Sequence, residues 1–260
     1  MQSSHPVLLR EQLNQLQEVS SEGLNFFLVL SGTSEANALQ HFYSQGESGA
    51  KPLWLNTPYR DWEEVMPHLA PIEPDSAFID WLDEQGEAFP DWGWLVVSPF
   101  GFDAVFSHFE SLTKVIMPSG NEVFFRYWDA PQVLPVFQLE EAENVADLMG
   151  PVANLISANG SVSHPQSPGI VCRQFPWWEL SKQVQQKLFA QNTSTLESNL
   201  LQQLIERNPN LYEAYPVNTL KVKIQRFVKS EQASAVITRY SGLEAYLQKE
   251  LNDAIAYPKH

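Results

Sequence analysis

The sequence predicts an α/β first lobe, a mixed sheet with flanking helices, followed by a smaller all-α lobe. Three observations carry this. Apolar runs at Leu24–Leu30 and Leu95–Val97 read as strands covered on both faces. Val105, Phe106, Phe109 and Leu112 come after the second run at helical spacing. After Trp177 the period turns helical to the end of the chain.

Leu9, Leu13 and Leu16 mark an amphipathic helix ended by Gly23. The strand Leu24–Leu30 comes next, and then a helix through Tyr43 that Thr33 or Ser34 caps. Gln45–Lys51 reads as a loop and Pro52–Leu55 as a short strand. Thr57-Pro58 predicts a cap with proline in the first turn, leading into a helix over Asp61–Leu69. Asp75 is expected to cap a helix through Glu84, with Phe78, Trp81 and Leu82 on one face.

The best-specified stretch is Trp92–Asp129. A strand ending at Ser98 and a helix lead to Val115–Met117 and Val123–Tyr127, which flank Ser119-Gly120-Asn121, a strong hairpin signal. Val133–Phe137 is a short helix or turn, Glu140–Met149 an acidic helix stopped by Gly150-Pro151, and Pro151–Ile156 a strand. Ser157–Gly169 reads as a loop or linker and Gly169–Phe175 as one more strand. Helices are expected over Trp177–Gln191, Thr195–Arg207, Leu220–Val228 and Leu243–Ile255. This gives lobes of residues 1–165 and 166–260.

Charge supports that division. The 260 residues carry a formal net charge of −15, but residues 1–170 hold 5 Lys+Arg against 23 Asp+Glu, and residues 171–260 hold 11 against 8. An acidic front half repels nucleic acid and suits a basic protein partner. It also aids solubility. No apolar run approaches the ~20 residues of a spanning helix, and Met1–Leu9 lacks the basic start and apolar core of a leader. A cytoplasmic protein without membrane insertion is the expectation.

No catalytic constellation is visible. The six histidines never approach His-x-His or His-x-x-x-His spacing, so no metal site is expected. His41 and His108 read as surface or boundary residues of amphipathic helices. Cys172, the single cysteine, has no sequence-adjacent activator and reads as a buried structural thiol. Gly46-Glu-Ser-Gly49 is one residue short of a nucleophile elbow. No glycine-rich dinucleotide motif occurs, and no cofactor is expected. Arg126 and Asp129 stand among Phe125, Tyr127 and Trp128, where a buried charge needs a partner. A structural Arg126–Asp129 clamp is the simplest arrangement, and a recognition or catalytic arginine the alternative. Adjacent Trp177 and Trp178 cannot both face one side of a helix, so one is expected at the other lobe or at a partner.

The pattern Trp-x-Trp-Leu-Val-Val-Ser98, a helix, then Pro118-Ser-Gly and Phe-Phe-Arg126-Tyr127-Trp128-Asp129-x-Pro131-x-Val-Leu resembles the adaptor–chaperone family of bacterial type VI secretion, first catalogued as domain of unknown function 4123. Ala130 intervenes before Pro131, and Gln132 stands where the family often has arginine. The resemblance spans roughly Phe26 to Ile156 and makes Ser98, Arg126, Tyr127, Trp128, Asp129 and Pro131 a structural or interaction motif. It implies a non-enzymatic chaperone that binds a cognate effector in the cytoplasm and loads it onto the VgrG spike protein. The competing readings are an immunity-type protein that binds a toxin, and an enzyme whose site is scattered in sequence.

Overall fold

The computed structural model describes residues 8–19, 23–86, 88–230 and 239–256. Most of the leader reading (residues 1–7), His5 and His260 therefore lie outside the described residues. The chain divides into two units, Met1–Gln185 and Gln186–His260.

The first unit is built on β1 (Asn25–Leu30), β2 (Lys51–Pro52), β3 (His68–Pro71), β4 (Gly93–Ser98), β7 (Asn154–Ser157) and β8 (Gly160–Ser163). They form one sheet in the order β2-β3-β1-β4-β7-β8. The α/β class expected of this unit holds. The pairing, however, is antiparallel throughout rather than mixed.

The two apolar runs pair at the centre, with Phe27 opposite Val96 and Val29 opposite Trp94. Because successive side chains face opposite ways, each strand feeds two cores. Leu28, Leu30, Leu95 and Val97 face α1 (Leu9–Val19), α2 (Ala38–Ser44) and α3 (Ala77–Gln85), where Leu13, Phe42, Phe78 and Leu82 are fully buried. Phe27 and Trp94 face the other way. There Phe27 meets Phe102, at the start of α4 (Phe102–Ser111), edge-on at 5.9 Å. Trp94 meets Phe137 of α5 (Ala130–Leu139) at 6.3 Å. Gly93 takes φ +140°, and a Cβ there would lie 1.8 Å from the Val29 carbonyl oxygen. The strand pair closes only because that position has no side chain.

The hairpin of β5 (Lys114–Ile116) and β6 (Glu122–Phe124) forms a separate two-stranded sheet. Its turn is closed by a 2.8 Å bond from Gly120 N to the Met117 carbonyl. An acidic α6 (Ala142–Met149) leads into β7.

Several expectations fail for identifiable reasons. Asp61–Leu69 is not a helix: Glu63–Val65 forms one 3₁₀ turn, and Leu69 and Ala70 are buried in β3 beside β1. Pro67 stops helical propagation, and the sheet captures the residues after it. Thr57 does accept from Tyr59 N, but it closes a turn. The strand expected over Pro52–Leu55 ends at Pro52. The cap of α2 is Asn37 at φ 50°, without a side-chain capping bond; the Ser34 hydroxyl donates to Asp91 and accepts from Ala36 N, ahead of the helix. Ser76, rather than Asp75, caps α3 by accepting from Phe78 N.

Ser157–Gly169 is not a linker, since Gly160–Ser163 pairs with β7. Gly169–Phe175 forms no strand. Residues 164–181 belong to the first unit. His164 N bonds to Ala153 O, Gly169 N to Gly150 O, Leu180 N to Ile116 O, and Ser181 N to the Glu140 carboxylate. These bonds carry the division of the chain past residue 165 to Gln185, which leaves 7 basic and 24 acidic residues in the first unit and 9 and 7 in the second.

The helix expected from Trp177 begins at Lys182 and runs unbroken as α7 (Lys182–Arg207), in place of two helices. The second unit continues with α8 (Pro209–Glu213), α9 (Val217–Ser230) and α10 (Arg239–Ala256). Leu200, Leu204, Leu220, Ile224, Leu243 and Leu247 recur at four-residue spacing and form its core with Leu211 and Val228. Asn208 caps α8 and donates to Glu244 at 2.7 Å, and the Tyr215 hydroxyl donates to the Leu247 carbonyl.

Candidate functional site

β6 ends at Phe124 because the next residues leave the strand alternation. Phe125 N bonds to Thr113 O, Tyr127 N to Phe125 O, and Asp129 N to Arg126 O. The chain thus turns twice before α5, and Phe125, Tyr127 and Trp128 pack on different rings. Phe125 stacks on Trp178 at 5.8 Å, and Tyr127 stacks on Phe109 at 5.3 Å. Trp128 meets Trp54 edge-on at 5.4 Å. The Trp94 indole donates to the Tyr127 carbonyl at 2.7 Å, which ties this turn to the central strand. Burial pushes the Tyr127 hydroxyl above its ordinary range.

Ser98 is fully buried and donates to the Pro151 carbonyl at 2.6 Å while accepting from Phe100 N. It fastens the end of β4 to the start of the β7 segment. Pro131 lies half-buried in the first turn of α5, where a missing N–H costs nothing. Arg126 and Asp129 do pair, at 3.1 Å, but the pair is lopsided: the arginine side chain is 54% exposed and the carboxylate 10%. Arg126 also reaches the Thr33 hydroxyl at 3.4 Å. Burial raises the Asp129 pKa, and the arginine charge opposes it.

Trp178 is buried in the first unit and donates to the Asn144 carbonyl, so it offers no free surface. Trp177 is half-buried, donates to the Ser111 hydroxyl at 3.0 Å, and carries the Arg173 guanidinium 4.0 Å above its ring. The two tryptophans face different ways because their segment is bridged to β5 and is not helical.

Sequence reasoning passed over an aromatic cluster on the same hairpin. Trp62 lies over Phe124 at 5.3 Å, Tyr59 meets Phe124 edge-on at 4.7 Å, and both touch Trp54. The Lys114 ammonium sits 5.4 Å over Tyr59 and 5.5 Å over Phe124, and pairs with Glu122. Trp62 is 48% exposed, and Leu55, Val65 and Val123 of the same segments are exposed too. A tryptophan held by aromatic neighbours on one side and open on the other is the profile of a binding anchor. Tyr59 and Trp62 stand at the start of the stretch expected as a helix, and nothing local in the sequence links them to Phe124.

Beside this cluster runs a groove of about 910 Å³ between α4, Asn56–Pro58 and residues 170–175. Tyr59 and Phe175, 6.3 Å apart, join the two features. His108 faces the groove from α4 but is a buried residue, not a surface one. Its Nε2 bonds to the Leu148 carbonyl at 2.9 Å, and desolvation pushes its pKa down to about 4. Cys172, expected to be buried, is exposed in the groove wall. Burial raises the Glu110 pKa.

Among the described residues no group of three His, Cys, Asp or Glu could hold a metal ion, and no helix is long and apolar enough to cross a membrane. No curated protein and no solved structure matches the chain. Residues 26–145, which run from β1 into α6 and contain the whole aromatic turn, match the model of a family described as a domain of unknown function (DUF4123).

Proposed function

We propose that the chain is a cytoplasmic adaptor that binds a type VI effector and hands it to the VgrG spike protein. The match of residues 26–145 to the DUF4123 family, which is associated with type VI secretion, carries this reading. The half-exposed aromatic cluster around Trp62 supports it, since an adaptor works by presenting anchors to other proteins. On this reading the chain binds and does not catalyse. His108 fits that role: with its Nε2 committed to a backbone carbonyl and its pKa near 4, it is neutral at physiological pH and serves packing. The first unit, with 24 acidic and 7 basic residues, suits a partner face that is basic around apolar anchors.

The test is co-purification of the full chain with the product of a neighbouring toxin gene and with the neighbouring spike protein, together with delivery of that toxin from a strain lacking the chain. The adaptor role predicts a stable complex with the toxin and loss of its delivery alone. Failure to bind either protein, with delivery intact in the deletion strain, rejects it.

A further inference from the structure

Residues 170–175, Ile-Val-Cys-Arg-Gln-Phe, have the β-branched and aromatic content of a strand but belong to no sheet. Burial alternates from Cys172 to Phe175 as it does in a strand, with Arg173 and Phe175 turned toward the unit. Among the described residues, none of the backbone N–H or C=O groups of 170–175 has a hydrogen-bond partner. The segment is nonetheless held at both ends. Gly169 N bonds to Gly150 O, and Trp178 and Leu180 pair with Ile116 of β5. In its middle, Arg173 bonds to Asp147 at 2.7 Å. Ile170 and Val171 are 55% and 57% exposed. The result is a fixed row of unpaired donors and acceptors, which is what an added strand needs.

The groove alongside selects the charge of what would enter. Asp103 and Glu110 of α4 line it, and no described residue makes an ion pair or hydrogen bond with either carboxylate. Arg173 is already engaged by Asp147 and Trp177. We propose that residues 170–175 accept an extended, basic segment of a partner polypeptide as an added β-strand, with its Lys or Arg side chains directed at Asp103 and Glu110. The adaptor reading would make that partner the effector or the spike, and to that extent the inference rests on it. The pairing itself is a property of this groove.

The single cysteine supplies the test, because Cys172 is exposed within the segment. The full chain is offered peptides whose terminal cysteine is held as a mixed disulfide with a small thiol, so that Cys172 forms the new disulfide as the small thiol leaves. Their sequences are alternating Lys/Val, alternating Glu/Val, or alternating Lys/Val with every second amide N-methylated. Strand addition predicts capture of the Lys/Val peptide about tenfold over the Glu/Val peptide and about fivefold over its methylated form. It also predicts slowed amide exchange at 170–175 in the captured complex. The Asp103→Asn/Glu110→Gln double variant should lower the charge preference about threefold or more. Equal capture of the methylated peptide, unslowed exchange at 170–175, or a charge preference untouched by the double variant each overturns the proposal. The same exchange measurement with the neighbouring effector separates the two readings. An effector that binds but protects other residues rejects the groove and keeps the adaptor. A captured and protected Lys/Val peptide with no effector binding does the reverse.

Discussion

The imidazole of His108 occupies the space where a side chain at residue 150 would stand: a Cβ on Gly150 would lie 2.5 Å from His108 Nδ1 and Cε1. Gly150 takes φ +54° and ψ −112°, so an L side chain there is strained before the clash is counted. Gly150→Ala is therefore expected to destabilise the first unit by roughly 2–4 kcal/mol. Urea unfolding followed by tryptophan fluorescence measures this. A loss under about 1 kcal/mol would mean that the ring is free to move.

The same histidine makes stability depend on pH. Folded His108 titrates near 4 and an unfolded histidine near 6.5, mainly because burial disfavours the charged ring. Between those values the unfolded chain binds a proton that the folded chain does not. Stability from this group is whole above pH 6.5 and falls away as pH drops toward 4, by about 3 kcal/mol in all. Glu110 and Asp129, whose pKa values are raised, oppose it at the acid end of that window. Unfolding midpoints measured across the window should show the slope in the parent chain and a flattened one in His108→Leu, whatever the variant's overall stability.

Arg126→Ala should cost less than about 1 kcal/mol, because the arginine is more than half exposed and its pair with Asp129 is screened by water. Asp129→Ala should cost more, since the residue is buried and begins α5. Thermal unfolding of both variants gives the order. The reverse order would show that the arginine holds the turn.

Trp62→Ala should leave stability within about 1 kcal/mol of the parent while weakening effector binding about thirtyfold or more. Titration calorimetry alongside thermal unfolding distinguishes this from a folding defect. Trp54→Ala, which empties a buried site against Trp128 and Phe124, should instead lose about 3–5 kcal/mol.

Local signals made part of this fold legible. The apolar runs Leu24–Leu30 and Leu95–Val97 supply the strands Asn25–Leu30 and Gly93–Ser98 because they are covered on both sides, and the hairpin results from Gly120 between β-branched residues. The remaining strands are set by pairing. His68–Pro71 lies between two prolines and has no alternation of its own, so β3 exists because β1 offers it an edge. Gly160–Ser163 is polar and reads as loop until it is folded back on β7. Ile170–Phe175 has the opposite fate: strand-like by composition, it finds no neighbour. Of the aromatic turn, the Arg126–Asp129 pair was legible, but its exposure was not. The Trp62–Phe124 contact joins residues far apart in sequence, and no local pattern announces it. The burial of His108 and the exposure of Cys172 likewise depend on what residues 148–150 and 170–175 do in space.

One contact near the start of the described chain bears on the timing of synthesis. The Asp83 carboxylate accepts from the backbone N–H groups of Leu9 and Arg10 at 2.7 and 3.1 Å, and Arg10 grips Asp80 and the carbonyls of Pro74 and Ser76. The cap that α1 uses is thus supplied by α3, more than seventy residues later. An eleven-residue helix is marginal in water on its own. On the ribosome, α1 must therefore wait, uncapped and with Leu9 and Leu13 unburied, until residue 83 has left the exit tunnel.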